Sequence, residues 1–206
     1  MIPLGVLSVV ALALILLYFF TLRRGAVVSK RYVATAEALL RKGDYYGLLA
    51  VSSRDRSSVA RVLGRTVDFM TQNPRVTCVE AREIAETEGT RQAAVLSQHI
   101  TYLADIGAIA PMLGLFGTVI GMIKAFTVVA HDIAATRPML LASSVSEALV
   151  TTATGLLIGI PAMAAYAFFR GRVQGLVADL EAATTHLMAI LAAHFPEKKA
   201  VVAEVR

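Results

Sequence analysis

The chain has a single cysteine, Cys78, among its 206 residues. One thiol can form neither an internal disulfide nor a cysteine metal cluster, and it fits a reducing compartment. Charge is also scarce. Only 17% of the residues are Asp, Glu, Lys or Arg, where a soluble domain carries about 25%. Paired Cys/His spacing, a phosphate-binding glycine loop before a helix and a nucleophile elbow are all missing. The sequence therefore predicts no enzyme active site, no metal and no cofactor.

What the chain has in abundance is apolar surface: 56% of residues are hydrophobic and the mean hydropathy is +0.65. Three stretches, Ile2 to Phe20, Ile106 to Val129 and Leu149 to Phe169, can each hold the ~20 apolar residues that span a bilayer. The first has no basic residue before its apolar run and no small-x-small site after it, and Arg23 and Arg24 follow directly. It reads as an uncleaved anchor rather than a signal peptide. The pI of 9.6 could suggest nucleic acid, but the basic residues flank the spans, where membrane topology accounts for them.

Thirteen Lys/Arg lie between Leu22 and Ala104, whereas Arg137 alone lies between Ala130 and Pro138. Arg170 and Arg172 open the tail. Positive-inside counting puts the long loop and the tail in the cytoplasm and the N-terminus outside. The expected fold is an all-α membrane protein with three transmembrane helices, N-out and C-in. Its segments are helix 1 over 1–21, a helical cytoplasmic domain over 22–104, helix 2 over 105–130, an external turn over 131–138, helix 3 over 139–169, and a cytoplasmic helix and tail over 170–206.

In the cytoplasmic segment "RYVATAEALLRKGDYYGLLAVSS" has helical spacing interrupted by Gly43, which predicts a helix-turn-helix. A second helix is expected over Ser57 to Thr71, ended by "QNPR" at Pro74. From Val76 the pattern runs unbroken into the second span. The third span likewise extends through "VQGLVADLEAATTHLMAILAAHF" until Pro196, before a loose tail.

Advancing each residue by roughly 100° places Gly107, Pro111, Gly114, Thr118, Gly121 and Ala125 on one stripe about 80° wide. Ala148, Thr152, Gly155, Gly159, Ala162 and Tyr166 form a similar stripe on the third span. Small residues along one face let helix backbones approach closely, and hydroxyls there can bond across the contact. Pro111 and Pro161 are tolerated in membrane helices where neighbours satisfy the freed carbonyls. Glu147 lies on the order of 12 Å into the third helix, aligned with Thr151 and Thr154, and a charge at that depth is usually functional or paired. It fits a place in an ion path, or a cap at the external mouth. Lys124, near the outer end of the second span, can snorkel to the interface. Asp105 reads as a boundary charge, and His131 and Asp132 read as parts of a solvated turn.

"APMLGLFGTVIGMIKAF" (Ala110 to Phe126) and "SEALVTTATGLLIGIPAMAAY" (Ser146 to Tyr166) resemble the ExbB/TolQ/MotA family of proton-channel stator proteins. The closest branch is the three-span ExbB/TolQ one, since MotA-type members have four spans. The resemblance implies a bacterial inner-membrane pentamer whose second and third spans line an apolar lumen. An ExbD/TolR-like dimer of single-span helices sits in that lumen and carries the proton-binding aspartate. A TonB- or TolA-like protein is a further implied partner. The family's pore threonines map onto Thr118 and Thr152 and its third-span glutamate onto Glu147, with the small seams turned to the lumen or a neighbouring subunit. The implied activity is conversion of proton-motive force into work on the cell envelope, in TonB-dependent uptake first and in Tol-type envelope maintenance next. A non-conducting membrane scaffold and a transporter subunit are the alternatives. Against the transporter, the chain has no inverted repeat and no pair of interrupted helices.

Overall fold

The computed structural model describes residues 2–73, 75–131 and 137–194. Among them the regular elements are all helices: α1 (Ile2–Thr21), α2 (Arg24–Val27), α3 (Lys30–Lys42), α4 (Tyr45–Arg54), α5 (Ser58–Gln72), α6 (Cys78–His131) and α7 (Arg137–His194). Three of them are long and apolar enough to cross a membrane: Ile2–Thr21, and segments within Cys78–Thr127 and Ala142–Ala193. Pro74, Asp132 and Pro196 lie outside the described residues. His131 is the last residue of α6 and Arg137 the first of α7.

The chain divides into two compact units. Among the described residues, one combines α1 with Ser97–Arg172, and the other combines Leu22–Leu96 with residues 173–194. In the first unit α1 buries Leu4, Ala11 and Tyr18, spaced seven apart on one face. The rest of this helix is exposed, Val9 at 70% and Leu12 at 60% among others, as suits a helix solvated by lipid. Tyr18 meets Phe169 edge-on, with ring centroids 6.0 Å apart.

In the second unit each helix start is set by a local signal. The side chains of Ser29, Asp44 and Ser57 accept from the backbone N–H groups of Tyr32, Gly47 and Ala60, which satisfies donors that a helix N-terminus leaves open. Gly43 stops α3 in the left-handed conformation, φ 70°, where a side chain would be strained. The helix-turn-helix expected around Gly43 is therefore α3 and α4, and the helix expected from Ser57 is α5 with Ser57 as its cap. The four-residue α2 was not expected, because it is too short to show a period.

Thr77 and Glu80 begin α6 with a reciprocal pair. The Glu80 carboxylate accepts from the Thr77 backbone N–H at 2.8 Å, and the Glu80 N–H donates to the Thr77 hydroxyl at 3.3 Å. This is a capping box, and the bond from Thr77 holds the Glu80 carboxyl below its ordinary range.

The core of this unit is built from Tyr32, Leu40, Leu48, Val59, Leu63 and Val67 together with Leu176, Leu180 and Leu187. Within it the Tyr32 hydroxyl lies 2.7 Å from Ser52 Oγ, which itself donates to the Leu48 carbonyl at 2.7 Å. Because the serine hydrogen is already used, the tyrosine must be the donor. Burial is the main cause that raises the Tyr32 phenol to about 12, so it donates at any ordinary pH. Tyr32→Phe removes that donor from a buried acceptor and is expected to destabilise the second unit by about 1 kcal/mol, read as a lower thermal midpoint by circular dichroism in detergent. An unchanged midpoint would mean that the α3–α4 contact rests on apolar packing alone.

Candidate functional site

The two stripes of small residues meet each other within the first unit. A Cβ built on Gly155 of α7 would stand 2.6 Å from the Ala110 carbonyl oxygen and 3.1 Å from Gly114 Cα of α6. One built on Gly114 would stand 3.0 Å from both the Thr151 carbonyl oxygen and Thr152 Cα. Further along, a Cβ on Gly121 would meet that of Ala148 at 2.7 Å, and one on Gly107 would meet the Met163 side chain at 2.5 Å. Ala125, Ala148 and Ala162 are buried. The seam residues thus serve a contact between α6 and α7 of one chain. Lipid tails are as apolar as leucine, so such a contact depends on close van der Waals fit rather than on the hydrophobic effect.

Pro111 belongs to the same contact. It lies inside α6 and has no N–H to return to the Gly107 carbonyl one turn earlier. A Cβ on Gly159 of α7 would lie 3.0 Å from that carbonyl oxygen and 2.9 Å from the proline ring. Having no side chain, Gly159 leaves room there for both the freed oxygen and the ring. Pro161, inside α7, faces outward and is exposed.

Thr152 lies in the middle of this contact. Its hydroxyl donates across to the Gly114 carbonyl at 3.1 Å. Thr118 is one turn beyond Gly114 and donates within its own helix to the Leu115 carbonyl at 2.7 Å. Both hydrogens are spent on backbone oxygens, so each threonine oxygen keeps only acceptor capacity for anything outside. Glu147 is exposed and directly precedes the seam residue Ala148. It lines a cavity of about 320 Å³ with Lys124, Thr151 and the start of α1. Asp105 and Tyr166 are exposed and partly exposed.

Two features were missed in the sequence. Gly117 lies off the assigned stripe, yet a Cβ there would meet the Thr151 side chain at 2.9 Å. Gly117-Thr-Val-Ile-Gly121 and Gly155-Leu-Leu-Ile-Gly159 are both G-x-x-x-G, the spacing that marks close helix contacts, and that signal was available. The sharing of one cavity by Lys124 and Glu147 had no signal in a single sequence.

The profile of the MotA/TolQ/ExbB proton channel family matches residues 55–182, more than half of the chain. The chain belongs to that family. It is similar to the Tol-Pal system protein TolQ of Haemophilus influenzae, 27% identical over 192 residues that cover 83% of each chain. It is also similar to the biopolymer transport protein ExbB of Neisseria meningitidis, 44% identical over 87 residues, 40% of this chain and 37% of the relative. With ExbB of Salmonella typhimurium it shares 42% over 79 residues, 38% of this chain and 32% of that one. The chain thus spans about a third of the length of the ExbB relatives it matches. The three apolar helices and these relatives fit an integral membrane protein.

The packing makes a graded prediction for glycine-to-alanine changes. Gly155→Ala drives a methyl into backbone atoms that cannot rotate away, and should destabilise the α6–α7 pair by about 1–3 kcal/mol. Gly117→Ala meets Thr151 Cβ at 2.9 Å, an atom that rotation of that side chain does not move, and should also destabilise. Gly171→Ala meets nothing within 4 Å and should be neutral or slightly stabilising. Thermal midpoints in one detergent test the order, and equal losses at Gly155 and Gly171 would refute the seam as the determinant.

Proposed function

We propose that the chain is the ring-forming subunit of a proton-driven stator in the bacterial inner membrane, a pentamer around a dimer of single-span ExbD/TolR-like partner helices. The observation that carries this reading is the Thr152–Gly114 bond at the centre of the glycine seam, in helices that match a proton channel family. α1, α6 and α7 span the membrane with the N-terminus outside, and the second unit lies in the cytoplasm.

Proton-motive force supplies about 2.3 kcal/mol per charge per 100 mV. A partner carboxylate facing the apolar helix surface pays for its lost water, and a proton cancels that charge. The resulting acid still has one O–H to satisfy. Thr118 and Thr152, with their own hydrogens committed, accept it and form a station for the protonated acid. Release of the proton ends that bond and turns the partner dimer onward. Glu147, at the outer end of the seam, contributes to the ion path. Large apolar side chains exposed on these helices, Leu115 at 61%, Phe116 at 62% and Leu157 at 75% among them, leave surface for lipid, neighbouring subunits and partner helices. The work drives TonB-dependent uptake or, as the long alignment with TolQ also supports, Tol-type envelope maintenance through a TolA-like protein.

Native mass spectrometry of the extracted chain, alone and with the single-span protein encoded beside it, tests the assembly. Five copies taking up two partners are expected, and a monomer or dimer indifferent to that partner would favour a scaffold. Thr118→Ala and Thr152→Ala should leave the ring intact and abolish its output, whereas a scaffold would keep both.

Orientation has its own probe in Cys78, the one cysteine, which is partly exposed. A membrane-impermeant maleimide should label it in inverted vesicles and spare it in intact spheroplasts. Labelling in spheroplasts would reverse the topology.

A further inference from the structure

A cavity of about 600 Å³ opens in the second unit between α4, α5 and the early turns of α6. Its ionisable lining is Arg61, Arg65 and Asp68 of α5 with Glu88 and Arg91 of α6. Positions 61, 65 and 68 follow at helical spacing, so α5 presents them on one face. Three guanidinium groups against two carboxylates leave one positive charge over. Ser52 and Ser53 also line the cavity, but their hydroxyls are spent on the carbonyls of Leu48 at 2.7 Å and Ala50 at 3.0 Å.

The five charges are unequally engaged. Arg91 grips Glu88 with two bonds, of 2.7 and 2.6 Å, and the buried Gln92 donates to the same carboxylate at 2.8 Å. The bond from Arg91 is the main cause that holds the Glu88 carboxyl below its ordinary range, and the charge of Arg65 adds to it. Glu88 and Arg91 therefore cancel each other. Asp68 accepts from Gln72 at 2.9 Å. Arg61 gives one N–H to Gln92, at 3.4 Å, and Arg65 enters no ion pair or side-chain hydrogen bond among the described residues. A guanidinium carries a planar fork of N–H donors that matches a carboxylate, so Arg61 and Arg65 bring open donors to the cavity wall.

We propose that this cavity binds an acidic peptide segment of a partner protein, one carboxylate side chain being held by the guanidinium groups of Arg61 and Arg65. Charge selects a carboxylate over a phosphate. One negative charge brings the cavity to neutrality, whereas a phosphate with its roughly two charges reverses the balance beside Asp68 and Glu88. Size selects a peptide over a lone ion, since the volume lies in the range of about 300–1,000 Å³ that organic ligands fill. Leu49 and Ala60 of the lining supply apolar surface for the peptide's methylene and methyl groups.

The test is arginine footprinting of the full-length chain in nanodiscs, with phenylglyoxal as the reagent and mass spectrometry reading each arginine. The probe is a capped alanine peptide with one central glutamate, compared with its glutamine counterpart and with inorganic phosphate. The glutamate peptide should slow modification of Arg61 and Arg65 severalfold and leave the exposed Arg56 unchanged, and the glutamine peptide should protect neither. Arg65→Gln, at an exposed position, should weaken peptide binding about tenfold or more, as the loss of a charged hydrogen-bond donor implies. Asp68→Asn should tighten it severalfold, whereas Glu83→Gln, an equal change of charge outside the cavity, should not. Equal protection of Arg56 and Arg65, equal tightening by Glu83→Gln, or phosphate protecting as well as the peptide overturns the proposal. If Arg61 and Arg65 are unreactive before any peptide is added, a second copy of the chain covers the cavity, which overturns it as well.

Discussion

Everything in the first unit follows from how closely α6 and α7 approach. At Gly114 and Gly155 backbone faces backbone, and even one methyl group would stand within 3.0 Å or so of main-chain atoms. Such a contact gains little from excluding lipid, so its strength lies in the number of atoms brought to van der Waals distance. It also explains where the hydroxyls go. Thr152 reaches the Gly114 carbonyl because no side chain on Gly114 stands in the way. A side chain on Gly114 would press on the Thr151 carbonyl oxygen and Thr152 Cα, and one on Gly155 on the Ala110 carbonyl oxygen.

The proline illustrates the same economy. A proline within a helix removes a donor and leaves an acceptor bare, which in water would be solvated. In lipid the bare acceptor must find a partner inside the protein. The Gly107 oxygen faces Gly159, and the Pro111 ring lies against that same glycine. One residue without a side chain thus accommodates both consequences of the proline.

Much of this was legible in the sequence where the cause is local. Gly43 and Ser57 act on residues three or four positions away, so α3, α4 and α5 could be read directly, whereas the Thr77–Glu80 pair, equally local, went unread. The unbroken pattern from Val76 likewise anticipated one helix continuing into the second span, although His131, expected in the turn, is the last residue of α6. The stripes of small residues were also legible, since a period says which residues share a face. It does not say what that face meets. The resemblance turned the seams toward a lumen or a neighbouring subunit, and the contacts of Gly107, Gly114, Gly121, Gly155 and Gly159 are within the chain. Gly117 lies off the stripe because the contact, which includes Thr151, is wider than the arc of small residues. The company of Lys124 and Glu147 depends on how α6 and α7 are aligned lengthwise, which no property of either helix alone determines.

The spent hydrogens of the threonines have a consequence for the order of events in the proposed stator. A threonine with a free hydrogen could stabilise a carboxylate, and would then hold the partner's aspartate most strongly while it is charged. Thr118 and Thr152 donate to Leu115 and Gly114 instead, so an approaching carboxylate finds lone pairs opposed to its own. The protonated acid finds acceptors. On the proposed lumen face, those two oxygens are acceptors that can satisfy its O–H. Binding at the station therefore follows protonation, and loss of the proton turns attraction into repulsion at the same spot. The direction of the step is then set by which side of the membrane supplies the proton.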